Sequence, residues 1–272
     1  GVAGARPAAL LASQAVLPND QDELPVAGAL ECEPLQVVKC QTSEVRVPAL
    51  SEIVIEGHLL PGARELEGPF GEFPKYYSPQ EKREVIAIDR VTHRRNPIYH
   101  TIVPAAMEHL LLGGIPREAT LLSHLKRSFP NVTDVHLAVG GVCRYHLYVQ
   151  MKKAREGEPK NVIMGAFGGH YDIKQVIVVD EDVDVHDSEQ VEWAVATRFQ
   201  PDRDLVVVSG AQGSILDPST DRGIGAKWGL DATRLPQSEG LSFTKVHIPR
   251  AESVDLEQAG VGGPSALRDI LG

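Results

Sequence analysis

The chain has 272 residues, of which 42% are hydrophobic and 24% charged, so its composition is that of a globular protein rather than a disordered or collagen-like one. The 37 acidic residues outnumber 27 basic ones, and a net charge of −10 repels nucleic acid and anionic membrane surfaces. No apolar stretch reaches the roughly 18 residues of a membrane span, and three cysteines are too few for a disulfide scaffold. We therefore expect a cytoplasmic protein with neither a membrane span nor a nucleic-acid partner. Because residue 1 is Gly rather than Met, we also expect a piece of a longer or processed chain.

The first hundred residues are predicted to be rich in β-strands. Residues 34–41 and 51–60 contain β-branched runs, and the second run alternates like a strand with two different faces. Residues 61–78 contain three prolines and three glycines, which predicts a shaped loop instead of a regular element. Alternation returns over 84–94 and predicts another strand.

The next segment begins with a predicted helix and continues with a predicted hairpin. Pro116 suits the first turn of the helix, and Pro130 ends it. Strands are predicted over 132–139 and 142–151, joined by a two-residue turn at Gly140-Gly141.

The remaining pattern is typical of a layered α/β domain. An apolar strand over 173–179 precedes a helix with Asp187 as N-cap and Gln190 completing a capping box. A strand over 204–210 follows, so we expect a parallel crossover. Later residues, including the glycine-rich 223–229, are predicted to form an irregular loop or tail.

Three aspartates of the acidic segment have the spacing of a calcium-binding loop. Asp180, Asp182 and Asp184 match its first ligand positions, but Val185 replaces the required glycine and Val191 the final bidentate ligand. This departure favours a solvated acidic connection between strand and helix.

The segment EGPFGE places two carboxylates, Glu67 and Glu72, around a short stretch made of one proline, one phenylalanine and two glycines. Both carboxylates could face one cavity, where burial or a neighbouring carboxylate prepares such a group for proton transfer. Taken alone, the pattern also fits ordinary exposed glutamates of a loop.

Longer motifs in the same order give the chain a resemblance to a known family. These motifs cover 33–62, 67–73, 76–77, 91–100, 176–204 and 225–233. Together they resemble the UbiD family of decarboxylases from end to end. The resemblance implies an α/β (α+β) fold, with the second half of a split β-barrel flavin-binding domain over 1–108. An α/β oligomerisation domain with a C-terminal tail is implied over 109–272.

The resemblance also implies a reaction, which is the non-oxidative and sometimes reversible decarboxylation of an aromatic or α,β-unsaturated carboxylic acid. The implied cofactors are prenylated FMN, supplied by a flavin prenyltransferase, with Mn²⁺ or Mg²⁺ and often K⁺. A homodimer or a higher homo-oligomer is implied as well. Glu72 matches the acid/base that protonates the carbon left by carbon dioxide, and Glu67 matches a member of the adjacent charge network.

Five further residues match the cofactor region of the family. Ser13, Gln14 and Ala15 are implied to lie against the flavin, and Glu23 is implied to coordinate the metal. Glu23 also suits the start of a helix after Pro18 and Asn19. His170 stands near the position of a mobile lysine in some relatives, so it is expected either at the mouth of the site or on the surface.

The chain departs from the family in one respect, because the upstream half of the cofactor domain is absent from the sequence. That half would carry the arginine of the catalytic network and the asparagine and histidine of the metal site. We therefore expect this piece to be inactive alone. Two alternatives stay open, which are a truncated or split homologue that assembles with a partner and contributes half a site, and a ligand-binding module without turnover.

Overall fold

The computed structural model describes residues 1–18, 20–235, 243 and 246, so most of the predicted C-terminal tail lies outside the described residues. The N-terminal elements are β1 (Val2–Ala3), α1 (Pro7–Ala12), α2 (Glu23–Glu31), β2 (Val37–Lys39), β3 (Arg46–Pro48), β4 (Ile53–Glu67) and β5 (Glu81–His93). The next elements are α3 (Met107–Ser128), β6 (Val132–Leu137), a 3₁₀-helix (Val139–Gly141), β7 (His146–Met151) and α4 (Glu158–Gly169). They are followed by β8 (Gln175–Asp180), α5 (Ser188–Arg198), α6 (Pro201–Asp204), β9 (Leu205–Gln212) and β10 (Ile224–Asp231). This mixture of sheets and helices confirms the predicted α/β class.

The N-terminal region, residues 1–106, is organised around one long hairpin. β4 pairs with β5 from Ile53 to Glu67, and β1 pairs with the other edge of β4. β2 and β3 form a separate pair. The predicted loop over 61–78 is therefore wrong in its first part, because β4 continues to Glu67. A register shift between Leu59 and Arg64 accommodates the proline and glycine of that part as an irregularity of the ladder.

The C-terminal region, residues 107–235, contains a five-stranded sheet in the order β6-β7-β8-β10-β9. The strands β7, β8 and β10 run parallel, whereas β6 and β9 pair antiparallel at the two edges. The predicted crossover from 173–179 to 204–210 is wrong, because β10 lies between these strands and β9 runs the opposite way. The predicted loop over 223–229 is also wrong, since this segment lies mainly in β10.

Close packing explains why a glycine-rich segment forms an inner strand. A side chain at Gly229 would place its Cβ 2.3 Å from Cγ2 of Ile163, a residue of α4. Glycine therefore lets α4 approach the sheet, and sequence periodicity does not record this requirement.

Helix α3 begins at Met107, so the prediction that it starts at Pro116 is wrong and the proline lies inside it. Leu110 is buried, and a Cβ at Gly113 would lie 2.1 Å from the Arg144 guanidinium. Burial of Leu110 and close packing at Gly113 thus support helix before Pro116, where the sequence predicted none.

The strands β6 and β7 are antiparallel as predicted, but the Gly140-Gly141 turn is wrong. A connection over 138–145 joins them, and the positive φ angles occur at Val142 and Cys143. Gly141 serves close approach instead, because its Cβ would lie 2.3 Å from Cβ of His146.

Two predictions for the second half are confirmed. All six residues of β8 are buried, as the apolar run over 173–179 indicates. The Asp187 carboxylate accepts hydrogen bonds from the backbone N–H groups of Glu189 and Gln190, which caps α5. Within the described ranges, no helix has the length and apolar character needed to cross a bilayer.

Candidate active site

The predicted catalytic pair lies on the connection between β4 and β5. Glu67 ends β4, and Glu72 follows in a small hairpin where its backbone N–H donates to the Tyr76 carbonyl at 3.0 Å. Phe73, the residue after Glu72, is buried against the Tyr145 ring, with ring centroids 5.4 Å apart. The Arg144 guanidinium also lies over the Phe73 ring, 4.6 Å from the ring centroid. Packing of Phe73 on the C-terminal core therefore fixes the position of Glu72.

Glu67 and Glu72 line one cavity of about 390 Å³, which we call the carboxylate cavity. The N-terminal region contributes these two glutamates with Phe70, Ser78, Pro79, Glu81 and Arg83 to the lining, and the C-terminal region contributes Ile215, Leu216 and Arg222. The structure thus brings together the two carboxylates that sequence reasoning selected. It adds Glu81, Arg83 and Arg222, which sequence reasoning missed.

Only some of these added residues could have been found from the sequence. Glu81 lies directly opposite Glu67 in the β4–β5 register, so a hairpin centred on the EGPFGE segment places it there. Arg222 is far away in the chain, and only the tertiary fold brings it to the cavity.

Arg83 compensates the negative charge that the N-terminal region contributes to this lining. Its guanidinium forms an ion pair with Glu81 (Nη2 to Oε2, 2.8 Å) and lies 3.9 Å from Glu67 (Nε to Oε2). Like charges that face each other across two strands destabilise a hairpin, so the cation between Glu67 and Glu81 relieves their repulsion. All three side chains are about half exposed, which keeps each interaction modest.

Ser13 and Glu23 line a second cavity of about 870 Å³, together with Asp22, Glu44 and Arg46. The Asp22 carboxylate accepts from the Leu24 N–H at 2.9 Å, so Glu23 occupies the first turn of a capped helix. The two cavities share no lining residue.

The other predicted cofactor residues lie outside these cavity walls. Gln14 is exposed and Ala15 is half-buried, and neither lines the Ser13–Glu23 cavity. Their assignment as flavin contacts stays a prediction.

The larger cavity has one feature that suits a phosphorylated flavin, the cation of Arg46, whereas its other charged lining residues, Asp22, Glu23 and Glu44, are acidic. The larger cavity has a volume usual for cofactor sites, and Arg46 offers a cation that matches a phosphate group. A hard divalent cation needs about six oxygen ligands. Across the part of the chain that the structure describes, no three His, Cys, Asp or Glu side chains are arranged so that they could hold a metal ion, so Glu23 alone does not fit a metal shell.

His170 lies in a charged cluster apart from both cavities. Its Nδ1 is 3.9 Å from an oxygen of Asp172, and its ring stacks on Tyr171 with centroids 4.9 Å apart. Arg117 approaches the same carboxylate at 3.8 Å. Burial raises the pKa of Asp172 and lowers the pKa of His170. The structure therefore places His170 on the C-terminal region and does not bring it to the carboxylate cavity.

The acidic segment that begins at the end of β8 is only in part the solvated connection expected from sequence, because Glu181 and Asp184 are exposed whereas Asp180 and Asp182 form ion pairs. The buried Arg198 guanidinium contacts Asp180 and Asp182, each at 2.8 Å. The Arg234 backbone N–H also donates to Asp180 at 2.7 Å. These carboxylates neutralise a buried cation, which explains the acidic spacing without calcium.

Family models match nearly all of the described chain. Residues 2–107 match the 3-octaprenyl-4-hydroxybenzoate carboxy-lyase Rift-related domain, and residues 110–232 match the C-terminal domain of the same carboxy-lyase. The chain belongs to the UbiD family. The division of this UbiD-family chain into domains at residue 108 stays a prediction.

Similar proteins include two archaeal relatives. The UbiD-family chain is 42% identical over 244 residues to anhydromevalonate phosphate decarboxylase of Methanothermobacter thermautotrophicus, covering 89% of the chain and 57% of the relative. It is 40% identical over 250 residues to the enzyme of that name from Methanocaldococcus jannaschii, covering 91% and 59%. The chain thus spans less than two thirds of the length of these curated relatives.

Solved UbiD-class structures share the fold. HmfF from Pelotomaculum thermopropionicum in complex with FMN matches with a TM-score of 0.91 and 50% identity, covering 94% of this chain and 58% of HmfF. An evolved dimeric form of HmfF in complex with prFMN matches with a TM-score of 0.84 and 47% identity, covering 95% and 56%. Vanillic acid decarboxylase of Sedimentibacter hydroxybenzoicus matches with a TM-score of 0.83 and 31% identity, covering 96% and 57%.

Proposed function

We propose that the protein containing this chain catalyses the non-oxidative decarboxylation of an aromatic or α,β-unsaturated carboxylic acid with prenylated FMN. The observation that carries this proposal is the convergence of Glu67 and Glu72 on one cavity of a UbiD-family chain. The names of the archaeal relatives, which are decarboxylases, and the FMN and prFMN complexes of HmfF support it.

The cofactor and the residues that line the cavity have distinct roles in this proposal. Bound prenylated FMN supplies the electron sink for cleavage of the carbon–carbon bond. Glu72 transfers a proton from its carboxyl oxygen to the carbon that has lost carbon dioxide. Glu67, next to Arg83, provides a charged neighbour to this proton donor. Phe70 and Leu216 offer apolar contact to the hydrocarbon part of the acid.

The larger cavity is the proposed cofactor side of the site. Arg46 would bind the flavin phosphate, and Ser13 would contact the flavin through its hydroxyl. We also propose that the whole protein uses Mn²⁺ or Mg²⁺ and K⁺, with Glu23 as one ligand and further ligands from outside the described residues. A flavin prenyltransferase would provide the cofactor, and the whole protein would form a homodimer or a higher homo-oligomer.

Co-expression of the whole protein with a flavin prenyltransferase tests the function. Mass spectrometry and absorbance establish that prenylated FMN is bound, and carbon dioxide release is then measured with a panel of aromatic and α,β-unsaturated acids. We expect release from at least one acid. A folded, cofactor-loaded protein that releases none from any acid of the panel would overturn the proposal.

A second candidate function is assembly, in which the chain contributes half a site to a complex. The exposed apolar side chains of the β4–β5 hairpin favour it, since Leu59, Ile86 and Ile88 are each about 60% exposed. Mixing this chain with the separately expressed upstream segment of a longer relative tests the candidate. Co-elution with cofactor binding supports assembly, and independent elution of both proteins rejects it.

A further inference from the structure

The β2–β3 hairpin, residues 37–48, lines part of the larger cavity but has little hydrophobic support. It contributes Glu44, Val45, Arg46 and Pro48 to the lining of that cavity. Its two strands are three residues long each, and none of residues 37–48 is buried. An isolated two-stranded hairpin is marginally stable in water. Polar contacts with the rest of the protein must therefore hold this hairpin in one position.

One buried carboxylate, that of Glu56 on β4, binds the connection between the two strands of this hairpin. It accepts hydrogen bonds from the Gln41 N–H at 3.0 Å, the Thr42 N–H at 2.7 Å and the Thr42 hydroxyl at 2.6 Å. Glu56 is 6% exposed, and within the described residues its carboxylate has no ion-pair partner. Burying a charge is costly unless hydrogen bonds compensate it, and these three donors do so. The hydrogen bonds from Thr42 and Gln41 also lower the pKa of Glu56, so the carboxylate is ionised at neutral pH.

The β4–β5 ladder is irregular at this carboxylate. Glu56 pairs with Arg90 across the two strands. The next residue, Gly57, pairs with Ile88, so β5 has one extra residue at this point. A Cβ at Gly57 would lie 2.3 Å from a backbone oxygen of β5, so glycine permits the close approach, and a bulge of this kind redirects neighbouring side chains. Arg90 donates to the Gln41 side chain at 3.1 Å, so both members of the cross-strand pair contact the tip of the hairpin.

We propose that Glu56 is a positioning residue for the cofactor, because it fixes the β2–β3 hairpin and so keeps the larger cavity in the shape that binds flavin. This inference rests on the proposed function, which assigns that cavity to the cofactor. Glu56 does not line the cavity, so it acts through the hairpin and not by contact with flavin. A hairpin that is already ordered loses less entropy when a ligand binds, and the fraction of molecules in the competent state sets the apparent affinity.

The chain offers a matched control in the C-terminal region. Glu158, the first residue of α4, accepts hydrogen bonds from the Ala154 and Arg155 N–H groups at 2.9 and 3.4 Å. It also accepts from the Asn131 side chain at 3.0 Å. Glu158 thus binds two successive N–H groups and one side chain, as Glu56 does, but it lines neither of the two cavities. Loss of this contact should lower stability without changing the affinity for flavin.

Fluorescence titration of the whole protein with FMN tests the proposal. Glu56→Gln keeps the size of the side chain and removes its charge. We expect this variant to raise the Kd for FMN about tenfold, because loss of a charge-assisted contact leaves fewer molecules with an ordered hairpin. Thr42→Val, which removes one donor at the exposed tip of the hairpin, should raise the Kd about threefold. The double variant should raise it by less than the product of the two single effects, and Glu158→Gln should keep the wild-type Kd.

Hydrogen exchange separates positioning from a general loss of stability. In the wild-type protein the Gln41 and Thr42 amides should be protected, because both donate to Glu56. In Glu56→Gln these two amides should exchange faster, while the amides of β8 retain their protection. Equal acceleration in β8 would assign Glu56 a purely structural role and overturn the inference.

An unchanged Kd for FMN in Glu56→Gln would also overturn the inference, as would an equal rise in Glu158→Gln or a wild-type protein that does not bind FMN. If Glu56→Gln does not fold, Thr42→Val decides in the same way. Failure of the proposed function has a different signature. A protein that shows the Glu56 effect but decarboxylates no acid when loaded with prenylated FMN retains the positioning residue and loses the reaction. One that decarboxylates acids while Glu56→Gln binds FMN normally retains the reaction and loses the positioning role.

Discussion

The two regions of the chain differ in how much of their apolar surface is covered. The largest fully buried side chains, among them Leu110, Leu147 and Ile163, all belong to the C-terminal region. In the N-terminal region as described, Phe73 is the largest buried hydrophobic residue, and the β4–β5 hairpin exposes Ile86 and Ile88. The C-terminal region therefore carries most of the hydrophobic stabilisation of this chain.

This difference shows how the carboxylate cavity is built. Glu67 and Glu72 come from the sparsely covered hairpin, whereas Arg222 comes from a turn anchored in the C-terminal region. The contact of Phe73 with Tyr145 connects the two regions next to Glu72. Site geometry should consequently be more sensitive to the C-terminal core than to the exposed face of the hairpin.

The largest expected effect comes from truncating a core side chain of the C-terminal region. Leu147→Ala removes a fully buried side chain from β7 and should lower the free energy of unfolding by about 2–5 kcal/mol. Leu59→Ala, at a residue 60% exposed on the hairpin, should change it by less than about 0.5 kcal/mol. Urea denaturation of this chain measures both. Similar losses for the two variants would contradict the comparison.

A smaller effect is expected at the N-terminus of α5. Asp187→Ala removes the acceptor for two backbone N–H groups and should reduce the free energy of unfolding by about 1 kcal/mol. Glu192→Ala, at an exposed position of the same helix, serves as the control and should stay within about 0.5 kcal/mol of wild type. If both variants unfolded at the same urea concentration, the cap would not contribute.

The smallest effect at neutral pH is expected at Tyr145, whose hydroxyl titrates only in alkali. Burial raises the pKa of Tyr145 to about 12, above its ordinary value of 10.0. The unfolded chain therefore loses this proton first, so stability should fall as the pH rises from about 10 towards 12. Tyr145→Phe should flatten this decline and remove the latest step from the tyrosinate absorbance titration. A late step that persists in Tyr145→Phe would assign the raised pKa to another tyrosine.

The sequence was sufficient where one local signal determined the structure. The apolar run of β8, the cap at Asp187 and the segment that joins Glu67 to Glu72 all depend on neighbouring residues. Together with the family motifs, these signals predicted the fold class and the two carboxylates of the cavity.

Prediction failed where distant contacts decide the structure. Ile163 of α4 occupies the space above Gly229, so a glycine-rich segment becomes the inner strand β10. Burial of Leu110 and the approach of Arg144 to α3 support helix before Pro116. Arg222 joins the cavity from the far end of the described chain, and no local pattern marks that position.

Replacement of Glu72 tests the central claim that this carboxyl group donates the proton. Glu72→Gln keeps the size of the side chain but cannot transfer a proton. In the whole, cofactor-loaded protein we expect turnover and deuterium incorporation from D₂O into the product to slow by about 10²- to 10⁴-fold, while substrate binding persists. Glu192→Gln should leave both rates unchanged. Wild-type rates of turnover and deuterium incorporation in Glu72→Gln would contradict the assignment.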